Sequence, residues 1–117
     1  REELRAESIK EAILTLSTGK NNFEVFSHPC PFKEGDIISS PLSSFDTENI
    51  MRTPPQETYI ISTGDAFENK IVAKVIDVKI PLVCVGNIAI ELGSRLPGDI
   101  LEGEYIEFTS GRLDTTD

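Results

Sequence analysis

The run Lys70-Ile71-Val72-Ala73-Lys74-Val75-Ile76-Asp77-Val78-Lys79-Ile80 decides the fold of this chain. Its apolar residues are β-branched but for Ala73, and they occupy both parities over much of its length. That pattern fits a central strand covered on both faces better than an amphipathic helix. Pro81 ends or bends the run, and Leu82 to Val85 continues as a second apolar strand.

Working outward, Gly-Asp pairs recur beside apolar dipeptides: Gly35-Asp36 before Ile37-Ile38, Gly64-Asp65 after Ile60-Ile61, and Gly98-Asp99 before Ile100-Leu101. Glycine tolerates positive φ and aspartate bonds back to turn amides, so each pair marks a chain reversal. Repeated reversals with short apolar runs between them describe a small barrel or sandwich. Further strands are expected at Phe23–Val25, Ile37–Ile38, Glu57–Ser62 and Glu104–Thr109. Phe32-Lys33-Glu34-Gly35-Asp36-Ile37-Ile38 and Leu96-Pro97-Gly98-Asp99-Ile100-Leu101 echo each other, but their flanks do not align, so the echo is turn chemistry and not duplication.

The first residues read differently. Ala6, Ile9, Ile13 and Leu16 recur at steps of three and four, and Gly19 supplies a stop, which predicts an amphipathic helix over 1–19. Residues 88–95 have two readings: a short helix capped by Asn87, or a strand alternating Ile88, Ile90 and Leu92. Residues 39–56, rich in Ser, Thr and Pro, read as one long irregular loop, and 111–117 as a polar tail. The expected fold is therefore β-rich α+β. It is a small, mainly antiparallel barrel or sandwich of six or seven strands carrying the N-terminal helix, as a single domain over 1–117.

Composition bounds the function. The chain has 117 residues and a formal net charge of −9, from 20 acidic against 11 basic side chains. Phosphate binding needs a clustered cationic face, and Lys70, Lys74 and Lys79 do not share one parity. Nucleic acid is disfavoured as a partner. No run approaches the roughly 18 apolar residues of a membrane helix, so a soluble domain with no membrane partner is expected. Two cysteines, Cys30 and Cys84, do not make a secreted disulfide framework, which points to a reducing, cytoplasmic setting. Because the first residue is Arg1 and not Met, a preceding segment is to be expected.

No nucleophile elbow, phosphate loop, dinucleotide motif or zinc ribbon is present, so no catalytic residue, metal site or cofactor can be named. Asp36, Asp65 and Asp99 are candidate carboxylates if the turns gather at one rim, but no dense cation loop surrounds them. His28 and Cys30 share a parity in an extended stretch, but the prolines around them, Pro29 and Pro31, fit a stiffened strand exit. The 39–56 segment carries Phe45, Met51 and Arg52, residue types that anchor recognition surfaces. These features favour a non-enzymatic binding module with a protein partner or a second copy of itself. The alternatives are a small-barrel enzyme or metal-dependent protein using rim carboxylates, and an OB-like nucleic-acid binder.

Overall fold

A computed structural model describes residues 5–10, 13–17, 22–27, 32–38, 41–65 and 67–115. These residues form nine strands and no helix: β1 (Arg5–Lys10), β2 (Ile13–Ser17), β3 (Asn22–Phe26), β4 (Leu42–Thr53), β5 (Tyr59–Ser62), β6 (Asn69–Asp77), β7 (Leu82–Val85), β8 (Ile88–Leu92) and β9 (Tyr105–Thr115). Strands β6, β7 and β8 follow one another antiparallel. β8 pairs parallel with the start of β4, β4 pairs antiparallel with β9, and β9 returns to β6. The circuit β4-β8-β7-β6-β9 therefore closes into a five-stranded barrel, a size whose interior side chains can fill. The meander β1-β2-β3 joins it where Phe26 stands opposite Asp114, and β5 extends it beside β6.

The central strand forms where its sequence places it as far as Asp77, but 78–80 are a turn and not its end, and Lys70, Lys74 and Ile76 leave one face largely open. Ile71, Ala73 and Val75 of β6 face the core with Val83, Val85, Ile88, Ile90, Ile106 and Phe108, all buried. Alternation along β9 buries Ile106, Phe108 and Ser110 in turn, as a half-covered strand requires. Polar side chains that turn inward are hydrogen-bonded: the Ser44 hydroxyl donates to Ser110 Oγ at 2.8 Å and lies 2.7 Å from Thr47 Oγ1, and Asn69 donates to the Phe67 carbonyl at 3.2 Å.

The barrel is present, but the α+β expectation is overturned: the described structure is all-β, with nine strands in place of six or seven. The segment read as an N-terminal helix is the β1–β2 hairpin, in which Leu14 and Leu16, two residues apart, are fully buried. They pack in one cluster with Phe23 and Val25, so cross-strand burial outweighs the local three-and-four spacing. An irregular register between Ala6 and Ser8 breaks the alternation that would have announced β1.

The 39–56 loop is also corrected, since 42–53 of it is β4, twelve residues long. Only Leu42 and Ser44 of that strand are buried, so its polar composition is that of a strand facing solvent for most of its length. Asp46 and Asn49 have φ of 53° and 57°, and these kinks remove the period of two. Residues 88–92 take the strand reading, because Ile88, Ile90 and Leu92 all face the core. The polar tail is corrected as well: β9 runs to Thr115 and buries Leu113. Ile37, expected within a strand, makes only an isolated bridge to Arg5.

Candidate functional site

A concavity lies where β4 ends and β9 begins. Thr53 stands opposite Tyr105, and Arg52 opposite Ile106. Beyond Thr53 the strand ends at Pro54 and Pro55, and a groove of about 430 Å³ lies between residues 52–55 and 103–105. Its second wall is a tight turn. The Leu101 amide donates to Glu104 Oε1 at 2.7 Å, and the Glu104 amide donates back to the Leu101 carbonyl at 3.2 Å. Gly103 sits in that turn with φ of 89°, a conformation that a side chain would strain. The turn is pinned to β6, since the Gly103 amide donates to the Val75 carbonyl and the Val75 amide to the Glu104 carbonyl, both at 2.8 Å.

Arg52 ties the two walls together. Its Nε lies 2.9 Å from Glu104 Oε2, and its terminal nitrogen bonds the Asp99 carbonyl oxygen and stands 3.5 Å from the Asp99 carboxylate. The pair is partly exposed and contributes little stability, on the order of 0.2 to 1 kcal/mol. Its effect is geometric: it fixes the distance between strand end and turn. Both carboxylate oxygens of Glu104 are thereby committed, one to Arg52 and one to the Leu101 amide. The carboxylate thereby braces the turn against the strand end.

Of the residues singled out from the sequence, Asp99 and Arg52 are brought together here. Asp36 lies elsewhere, serving its own turn: its Oδ2 accepts the Lys33 amide at 2.8 Å, and its carbonyl accepts the Ala6 amide at 2.9 Å. Asp65 occupies the β5–β6 connection, where its carbonyl accepts the Glu68 amide at 3.0 Å. Among the described residues no three His, Cys, Asp or Glu side chains come together as a metal site. His28 and Cys30 lie outside the described residues. Phe45 and Met51 sit on β4 and not in a loop. Met51 stands opposite Glu107 and is 54% exposed.

The sequence reading missed Arg112, which it assigned to the tail. Its guanidinium lies 4.6 Å from the centre of the Phe26 ring and 5.1 Å from that of Phe45. It also donates to both oxygens of Asp114, at 2.7 and 2.9 Å. Phe67 meets Phe26 edge-on at 4.7 Å and extends the cluster. The signal was there in Arg112-Leu113-Asp114, a charged pair two residues apart around one apolar residue, as a half-buried strand would have it. Cys84, opposite Lys74, carries a free thiol. Burial pushes that thiol above its ordinary pKa, and the Lys74 ammonium offsets this in part. No known protein family, characterised protein or solved structure matches the chain.

Proposed function

We propose that this chain is a binding module without catalytic chemistry, and that it docks a partner protein across the groove at the end of β4. One observation carries the reading: the groove between 52–55 and 103–105 is flanked along the chain by Met51, 54% exposed, and Leu101, 65% exposed. Large apolar side chains beside a concavity whose walls are tied together suit a docking surface, because little ordering remains to oppose binding. The contacts of both Glu104 oxygens hold the groove's two walls together, as a docking surface needs.

Site-specific photo-crosslinking in the native cells tests this. A benzophenone residue replacing Met51 or Leu101 is expected to trap one discrete protein partner, and Tyr105→Ala to reduce the yield. The same residue at Glu24, exposed on β3, is the control. Equal trapping at all three positions, or nucleic acid as the trapped species, would count against the proposal.

A further inference from the structure

We infer that the segment received by this groove is a basic, extended peptide, its lysine or arginine stems lying on Tyr105 and the two prolines. The inference rests on the docking reading above and adds the chemical class of the partner. Charge supplies the first argument. The groove's own lining holds one carboxylate, Glu104, and three more adjoin it along the chain: Asp99, Glu102 and Glu107. Against them stand Arg52, and Lys74 beside Tyr105 on β6. Arg52 is already occupied by Glu104 and Asp99, so it offers little to an incoming anion. The cluster therefore attracts cations and repels phosphate or an acidic peptide.

The chemistry of the walls supplies the second argument. Pro54 and Pro55 have no amide hydrogens, so this wall cannot extend the sheet by a regular ladder with an added strand. Recognition must then come from side chains. A half-buried tyrosine beside two prolines suits the aliphatic stem and cationic head of lysine or arginine, which gains from both apolar contact and the aromatic ring. Asp99, whose side chain is 76% exposed, stands at the rim where such a head would emerge.

The test is a titration of the isotope-labelled protein by NMR with three synthetic decapeptides of alternating proline, carrying lysine, glutamine or glutamate at the other positions. The lysine peptide is expected to bind and to shift the amides of Arg52, Thr53 and residues 103–105 most. Asp99→Asn combined with Glu102→Gln is expected to weaken it about fivefold, as two rim charges would. Glu24→Gln with Glu91→Gln, which removes the same charge from β3 and β8, is expected to leave it within about twofold. Absence of binding, equal binding of the glutamate peptide, or equal weakening by the two double variants would overturn the inference. The docking reading fails separately, if the crosslinker at Met51 and Leu101 traps no protein. A trapped partner whose cross-linked segment is acidic or neutral would overturn only the basic class.

Discussion

Gly111 shows how a single residue sets the shape of the barrel wall. A Cβ added there would lie 2.8 Å from the Asp46 Cβ, on the neighbouring strand, where Asp46 itself is held at φ of 53°. Neither side can retreat without moving the β4–β9 pairing, so Gly111→Ala is expected to destabilise the fold by about 1 to 3 kcal/mol in urea unfolding. Replacing Asp46 by glycine in the same chain removes the obstructing atom and suits the positive φ, and is expected to restore most of the loss. A second residue-scale expectation concerns Cys84. Its thiol is raised above the ordinary value of 9.0 by burial, against the pull of Lys74, so thiolate forms late as pH rises. Stability from this group is whole below that value. It is lost as pH climbs towards the folded-state value, because the unfolded chain releases the proton first. Lys74→Met removes the opposing pull, and alkylation of Cys84 at pH 8, followed by peptide mass spectrometry, is expected to slow further.

Among the elements, the β1–β2 hairpin separates what the sequence displays from what only the fold supplies. β6 was legible because an isolated run of β-branched residues with both parities apolar has few other uses. The Gly-Asp turns were legible because their geometry is local. The hairpin was not, since Ala6, Ile9, Ile13 and Leu16 satisfy a helical period while Leu14 and Leu16 satisfy a strand period; pairing with Phe23 and Val25 decides between them, and that pairing is non-local. β4 was hidden for another reason: a strand with only two buried side chains has no hydrophobic pattern to read. The candidate site suffered the same fate. Met51 and Arg52 could be named from residue type, but the groove depends on the register that sets Thr53 against Tyr105, and Arg112 depends on Phe26 arriving from another strand. Because the hairpin belongs to the main cluster, Leu16→Ala is expected to cost about 2 to 5 kcal/mol, as a core truncation does. A detached helix would lose a few tenths at most. Hydrogen exchange should agree, with the amides of 13–17 protected nearly as well as those of β6.

For the whole molecule, the acidic surface acts in opposite directions on stability and on binding. The protein measures 40 × 28 × 25 Å and carries a net charge of −9. At 0.01 M salt the Debye length is about 30 Å, so nearly every charge senses every other; at 0.15 M it is about 8 Å and only neighbours interact. Like charges about 20 Å apart in water repel by roughly 0.2 kcal/mol per pair, and summed over the net charge this comes to a few kcal/mol. Unfolding spreads the charges and relieves part of it. Among the described residues, the pairs of Arg52 with Glu104 and Asp99 and of Arg112 with Asp114, which salt would weaken, are partly exposed and contribute on the order of 0.2 to 1 kcal/mol each. Repulsion therefore wins, and the melting temperature is expected to rise by a few degrees between 0.01 and 0.15 M sodium chloride, with most of the rise complete by 0.15 M. A basic peptide in the groove draws on the same field with the opposite sign, so its affinity should fall over the same range. Scanning calorimetry and the peptide titration, run on one salt series, measure both. A melting temperature that falls with salt would mean that the Arg52 and Arg112 pairs outweigh the collective repulsion. The acidic surface would then be a set of local clamps, and the case for steering a cationic partner would lose its physical basis.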